Sequence, residues 1–117
     1  MIVAGFGFRS AAQTASLRDA LARTGGTPNL LATAADKASS AAFTALGAEL
    51  SLPTRGVDPA GQHTLTQSAA SQAARGTGSV AEASALAAAG PGARLLGRRV
   101  ISADRQATCA LAIGAAP

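Results

Sequence analysis

Three short apolar segments, separated by helical patterns, most constrain how this chain can fold. The segment "IVAGF" at 2–6 is rich in β-branched residues, and the segments at 28–34 and 48–54 also have the length and composition of strands. Strands that alternate with helices predict a mostly parallel sheet with right-handed crossovers and helices on both faces. We expect 2–6, 29–33 and 48–53 to be neighbouring strands of that sheet.

The helical patterns begin at polar caps and end at glycines. Ser10, Asp36 and Ser79 are predicted N-caps, because their side chains can accept hydrogen bonds from the first helical amides. Gly25, Gly47 and the "GPG" of 90–92 are predicted stops. Four helices follow from these signals, at 11–23, 36–46, 62–74 and 79–89.

The C-terminal part of the sequence predicts an antiparallel hairpin. The segments at 93–102 and 106–114 have strand composition and are joined at 103–105. A terminal hairpin at or near an edge makes a sheet mixed. We therefore expect residues 1–117 to form a single domain, a three-layer α/β/α fold with a mixed, mostly parallel sheet of about five strands.

Composition and net charge limit the classes of partner that this chain is expected to bind. The formal net charge of +4 favours an anionic partner. Dispersed arginines and few aromatic rings argue against nucleic acid, and no apolar run reaches the roughly 20 residues that cross a membrane. The N-terminus lacks a signal-peptide pattern and Cys109 is a lone cysteine, so we expect a cytoplasmic protein. A small ligand with several carboxylates or phosphates fits best.

In α/β sheets ligands lie beyond the carboxyl ends of the parallel strands, where helix N-termini point. This rule brings together the segments 5–10, 33–37 and 76–79, and predicts one crevice. The candidate ligand-binding residues are Gly5, Gly7, Phe8, Arg9, Ser10, Thr33, Asp36, Lys37, Gly76, Thr77, Gly78, Ser79 and Glu82.

Arg9 and Lys37 are the strongest candidates for holding an anion. Each lies beside a predicted helix N-terminus, where the helix dipole disfavours a cation. An anion-binding role explains that placement, and a solvated surface position is the alternative for both. We expect the amides of the loop at 76–78, with those of Ser79 and Val80, to face the same crevice, because glycine lets a ligand approach the backbone closely.

Glu82 has two interpretations. Ser79 and Glu82 match the capping box, in which the carboxylate folds back onto the Ser79 amide. Alternatively, Glu82 is a general base, with Lys37 or loop amides stabilising an oxyanion. No nucleophile set supports catalysis, His63 is expected at the surface, Cys109 is expected as a buried, inert thiol, and we expect neither a metal site nor a cofactor.

The glycines at 5 and 7 invite comparison with a dinucleotide-binding fingerprint. Ser10 stands where that fingerprint has its third glycine, and no acidic residue ends the second strand at the usual distance. The alternative is that Gly5 and Gly7 allow a strand and a helix to approach closely or accept a positive φ.

The segments "GFGFRS", "LLATAADK", "RGTGSVAEASAL" and "ALAI" occur in the order and spacing of one known family. Over essentially the whole chain the sequence resembles the CobE proteins and CbiG C-terminal domains of cobalamin biosynthesis. The most specific parts are the blocks at 33–37 and 76–83. Phe8 stands where the family often has a cysteine, which removes a candidate thiol.

The resemblance implies a role in making the corrin ring, and longer CbiG proteins are associated with opening a precorrin lactone. We expect a protein that binds a precorrin intermediate around the ring-contraction stage, with a polycarboxylate tetrapyrrole as ligand. Other cobalamin-pathway enzymes are expected as further partners, without nucleic acid or membrane. The alternatives are a hydrolase that opens a precorrin lactone and, less favoured, a nucleotide-binding module.

Overall fold

A computed structural model describes residues 1–67 and 78–115 of the chain. These residues form six strands and three α-helices, with one 3₁₀ turn at Ala35–Lys37. In chain order the elements are β1 (Ile2–Phe8), α1 (Thr14–Thr24), β2 (Leu30–Ala34), α2 (Ala41–Leu50), β3 (Thr54–Val57), α3 (Val80–Ala89), β4 (Arg94–Leu95), β5 (Val100–Ile101) and β6 (Ala107–Ile113).

The strands form one mixed sheet with the order β3-β2-β1-β6-β4, and β5 also pairs with β6. Strands β1, β2 and β3 are parallel, with Phe6 opposite Thr33. Strand β6 runs antiparallel to β1, with Gly5 opposite Ala110, and antiparallel to β4 and β5. The predicted parallel part and the antiparallel C-terminal strands are both confirmed.

Side chains alternate across β1 and give the sheet two different faces. Ala4 and Phe6 belong to the larger core, which packs under α1 and α2 and includes Leu17 and Phe43. Val3 points to the other face, where α3 packs against β1, β2 and β6. Helices therefore cover both faces, and the three-layer α/β/α architecture is confirmed.

Glycines allow α3 to lie unusually close to β1. A Cβ on Gly5 would overlap the carbonyl oxygen of Ala81 and the backbone nitrogen of Ala85. A Cβ on Gly7 would lie 3.3 Å from Val80 Cβ. Gly5 and Gly7 therefore serve close strand–helix approach, which was one of the two interpretations of this motif.

The predicted third strand at 48–54 is wrong for most of its length. Helix α2 continues to Leu50, and the chain leaves it through Ser51, whose φ of 54° is in the left-handed region. The strand begins only at Thr54. Gly47, predicted as a helix stop, is buried inside α2, where a Cβ would overlap the Thr54 methyl group.

Two predicted N-caps are also wrong. Helix α1 begins after Gln13, because residues 9–12 form a turn in which the Ala12 amide donates to the Arg9 carbonyl at 3.0 Å. Helix α2 begins after Ser40, and Asp36 lies in the preceding 3₁₀ turn. The prediction for 79–89 is confirmed, and so is the stop at Gly25, which has a φ of 72°.

The predicted helix at 62–74 lies mostly outside the described residues, and its described part, 62–67, contains no helix. In the C-terminal hairpin, the first predicted strand is divided into β4 and β5. The Leu96 amide still donates to the Leu111 carbonyl at 2.9 Å, and the chain leaves the ladder after it. Strand β6 lies between β1 and these two short strands, so the hairpin forms one side of the sheet, as expected.

Candidate functional site

The parallel strands β1, β2 and β3 end at the same edge of the sheet, which we call the carboxyl edge. It is formed by the residues that follow these strands: Arg9–Ser10, Ala35–Lys37 and Asp58. The first turn of α3 lies at this edge too, because Val80 packs against Gly7. The three segments expected to converge are therefore near one another in their described parts.

Lys37 and Phe8 are in direct contact at the carboxyl edge. The Lys37 Nζ lies 5.1 Å from the centroid of the Phe8 ring, a cation–π distance. The Phe8 ring in turn stacks on Phe43, with centroids 6.3 Å apart and an angle of 15° between the planes. The half-buried Phe8 ring is thus contacted by Phe43 and has the Lys37 ammonium over it.

Arg9 directly follows β1 and is exposed. Its backbone N–H donates to the Gln106 carbonyl at 3.0 Å, which fixes its position beside the start of β6. Within the described part of the chain, side-chain ion pairs join Arg18 to Glu49 and Arg23 to Asp19, and Arg9 takes part in neither. Its guanidinium is therefore not neutralised by a carboxylate of those residues.

The other candidates of the first two segments differ in accessibility. Ser10 and Asp36 are exposed. Thr33 is fully buried, and its hydroxyl donates to the Phe6 carbonyl at 2.9 Å, which joins β2 to β1. A ligand that reached this edge would meet Ser10 and Asp36 before Thr33.

The third segment is described only from Gly78, so the candidates Gly76 and Thr77 lie outside the described residues. Gly78 is buried, and a Cβ there would overlap Thr64 Oγ1 and Gln67 Oε1. The close approach at Gly78 is thus made by the chain itself, where we expected a ligand to make it. Ser79 is fully buried, and its hydroxyl accepts a hydrogen bond from the Glu82 amide at 3.2 Å.

Glu82 is a fully buried carboxylate held by four donors. Its Oε1 accepts from the amides of Leu65 and Thr66 at 2.7 and 2.8 Å. Its Oε2 accepts from the Thr66 hydroxyl at 2.6 Å and from the Arg99 amide at 2.7 Å. The capping-box prediction is therefore correct for Ser79 and wrong for Glu82, whose carboxylate binds other segments instead.

These contacts also determine the charge of Glu82. Burial alone would raise the pKa of this carboxyl group, but the hydrogen bonds from Thr66, Arg99 and Leu65 outweigh it. The pKa of Glu82 is consequently below its ordinary value. An ionised carboxylate whose oxygens are occupied by fixed donors is poorly suited to accept a proton, so the geometry gives no support to Glu82 as a general base.

Other chemical candidates find little support at this site. Gly5 and Gly7 are covered by α3, which leaves no open backbone for a pyrophosphate, so nothing here favours the nucleotide-binding alternative. Cys109 is buried, and burial raises the pKa of its thiol; His63 is exposed. In 1–67 and 78–115, no three metal-ligating side chains form a group that could hold an ion.

One residue at this edge, Arg105, was not among the candidates predicted from the sequence. Arg105 lies in the turn between β5 and β6, next to Gln106 and hence close to Arg9 along the ladder. It has a φ of 59°, a left-handed conformation that an arginine at this position does not predict. The only available signal was the predicted 103–105 turn, which opposes the end of β1 once the sheet order is known.

No helix in the described ranges is both long enough and apolar enough to span a membrane. This finding covers residues 1–67 and 78–115.

The sequence and the fold are similar to those of known proteins. The sequence model of the family described as Cobalamin synthesis G C-terminus matches residues 2–112. The crystal structure of CobE, a protein from the cobalamin (vitamin B12) biosynthetic pathway, is similar with a TM-score of 0.80 and 30% identity. That match covers 96% of this chain and 89% of CobE. No curated protein matches the sequence.

Two further solved structures are similar. The cobalamin biosynthesis protein chiG from Agrobacterium tumefaciens has a TM-score of 0.73 and 31% identity, with 99% of this chain and 100% of that chain covered. A cobalamin biosynthesis protein G homolog from Sulfolobus solfataricus has a TM-score of 0.71. At 20% identity, with 95% of this chain matching 36% of the homolog, that likeness concerns the fold alone.

Proposed function

The chain belongs to the Cobalamin synthesis G C-terminus family and is a protein of the cobalamin biosynthesis pathway, and on this premise we propose that it binds a precorrin intermediate at its carboxyl edge. The stage proposed is the one around contraction of the ring. The proposed location is the cytoplasm, and the proposed partners include the enzymes that deliver and remove the intermediate.

The contact of Lys37 with Phe8 carries this proposal. Precorrins combine a largely apolar macrocycle with acetate and propionate groups around its rim. Phe8, which stacks on Phe43, offers an aromatic contact to the macrocycle next to the Lys37 ammonium. The ammonium of Lys37, 5.1 Å from that ring, and the guanidinium of Arg9 are placed to hold rim carboxylates.

Charge supports the same assignment. The chain has a formal net charge of +4, and Arg9 belongs to none of the ion pairs found among the described residues. A polyanionic ligand is attracted by such a field and gains charge-assisted hydrogen bonds from uncommitted cations.

Binding and presentation of the intermediate fit the site better than hydrolysis. The general base proposed for opening a lactone is Glu82, whose carboxylate is buried and occupied by four donors. We therefore assign to Glu82 the structural role of holding α3, Thr66 and Arg99 together, and to Lys37, Arg9 and Phe8 the contacts with the ligand.

A titration followed by visible absorption tests the proposal. Uroporphyrin is the probe, because every pyrrole ring carries an acetate and a propionate, as in precorrins. Protoporphyrin, which lacks most of these carboxylates, is the comparison. We expect saturable binding of uroporphyrin that weakens as salt is added, and weaker binding of protoporphyrin. Absence of uroporphyrin binding, or tighter binding of protoporphyrin, would contradict the proposal.

A further inference from the structure

We infer that Arg105 is a third carboxylate-binding residue at the carboxyl edge, and that the ligand therefore carries carboxylates on both sides of β1. The inference rests on the proposed function, which it deepens by naming a residue and a minimum ligand width. Four observations lead to it: the shape of the turn, the position of Arg105, the exposure of its side chain and the hydrogen bonds that its neighbour Asp104 accepts.

The turn between β5 and β6 has a shape that favours glycine at position 105. The Ser102 amide donates to the Ala107 carbonyl and the Arg105 amide donates to the Ser102 carbonyl, both at 2.9 Å. Arg105 has a φ of 59°. Hairpin loops of this kind place a residue in the left-handed region before the second strand, and glycine adopts it at the lowest cost.

An arginine in this conformation works against the stability of the turn. Side chains with a Cβ are disfavoured at positive φ, and asparagine or glycine are the usual residues there. Strained backbone of this kind is found preferentially where a side chain serves binding or catalysis. Arg105 is exposed, so packing in the core does not account for it.

Arg105 lies at the end of the strand next to β1. The β1–β6 register reaches Phe8 opposite Ala107, and the bond from the Arg9 amide to the Gln106 carbonyl extends it by one step. Lys37 follows β2, on the other side of β1. The three cations thus follow or precede three neighbouring strands, β2, β1 and β6.

The carboxylate next to Arg105 in sequence is engaged elsewhere. Asp104 accepts hydrogen bonds from Ser16 Oγ, from Ser102 Oγ at 2.6 Å and from the Gln106 amide at 3.1 Å. The ion pairs formed within 1–67 and 78–115 do not include Arg105. Its charge is therefore available to an external anion.

The spacing of the strands sets the width of the ligand. Neighbouring strands lie roughly 4.8 Å apart, so strand ends on β2 and β6 are separated by about 10 Å. A ligand that contacts Lys37, Arg9 and Arg105 together must carry at least three carboxylates distributed over that width. A macrocycle with carboxylates around its rim meets this requirement, and a compact dicarboxylate such as succinate does not.

Replacing Arg105 by glycine separates binding from folding. We expect Arg105→Gly to melt at the same temperature as the wild type or higher, because the strain is relieved, and to bind uroporphyrin roughly 10- to 100-fold more weakly. The dependence of affinity on salt should also become shallower, because one ion pair is lost. Arg105→Lys, which keeps the charge, should restore much of the affinity.

Arg94→Gly is the matched control, because Arg94 is exposed and pairs with Ile113 at the opposite end of β6. Unchanged affinity in Arg105→Gly, with weaker binding in Arg9→Ala, would overturn the role of Arg105 and leave the proposed function intact. An equal loss of uroporphyrin affinity in Arg94→Gly and Arg105→Gly would also overturn the role of Arg105, because the affinity would then depend only on the net charge of the protein. Unchanged affinity in Lys37→Ala would overturn the proposed function itself, on which this inference rests.

Discussion

The buried carboxylate of Glu82 accepts a hydrogen bond from the backbone N–H of Arg99 at 2.7 Å, which joins α3 to the segment between β4 and β5. Through its other oxygen and the Thr66 hydroxyl, the same carboxylate holds the segment that follows β3. One side chain therefore fixes two irregular segments against the helix that starts at the carboxyl edge.

Glu82→Gln is expected to destabilise the protein. The amide side chain has one acceptor oxygen in place of two, so at least one buried donor loses its partner. Each such donor costs about 1–3 kcal/mol in the free energy of unfolding, measured by urea denaturation. Glu49→Gln is the control, because Glu49 forms an exposed ion pair with Arg18. A change in Glu82→Gln no larger than in Glu49→Gln would rule out the anchoring role.

The same carboxylate should make stability depend on pH. Because the pKa of Glu82 is lower in the folded chain than its ordinary value of 4.5, the unfolded chain takes up a proton first as the pH falls. The stabilisation is complete above the ordinary value and is lost as the pH falls through the folded pKa. The stability difference between wild type and Glu82→Gln should therefore narrow as the pH falls below about 4.5. A difference that widens on acidification would contradict this sign.

Gly5→Ala is expected to disrupt the contact between β1 and α3. The added methyl group would overlap the backbone of Ala81 and Ala85, which cannot move without shifting the helix. Overpacking of this kind costs at least about 1–3 kcal/mol in the free energy of unfolding. Gly97→Ala is the control, because a Cβ there meets no atom within 4 Å. Wild-type stability in Gly5→Ala would show that α3 lies farther from the sheet.

Ser84→Ala is expected to leave stability unchanged or raise it slightly. Ser84 Oγ is buried and has no hydrogen-bond partner in the part of the chain that the structure describes. Removing an unpaired hydroxyl from the interior removes its desolvation cost. The matched change Thr33→Val deletes the bond to the Phe6 carbonyl and should cost about 0.5–1.5 kcal/mol. Thermal denaturation of both variants distinguishes them, and a larger loss in Ser84→Ala would reveal a partner for that hydroxyl.

Local patterns predicted much of the fold. The apolar run at the start of β1 and the Ser79 cap of α3 are signals within a few residues, and the structure follows both. The predicted third strand failed because the end of α2 depends on distant packing: Gly47 contacts Thr54 across the turn. Ser51 has a left-handed conformation. A glycine or an asparagine at this position would have predicted it, whereas a serine does not.

The candidate site was predictable only where it follows from the order of strands. The rule that ligands lie at the carboxyl edge brought Arg9 and Lys37 together, since β1 and β2 are neighbours. The partners of Glu82 could not be predicted, because Leu65 and Arg99 each lie 17 residues away in irregular segments. Arg105 could be assigned to the carboxyl edge only from the pairing of β1 with β6.

The affinity of Lys37→Ala for uroporphyrin, measured beside wild type and Arg94→Ala at low salt, tests the central claim most directly. If the ammonium beside Phe8 holds a rim carboxylate, binding should weaken roughly 10- to 100-fold, because a hydrogen bond to a charged group is lost. The melting temperature should stay near that of the wild type, since the Lys37 side chain lies in a surface turn. Wild-type affinity in Lys37→Ala, or an equal loss in Arg94→Ala, would contradict a tetrapyrrole site at the carboxyl edge.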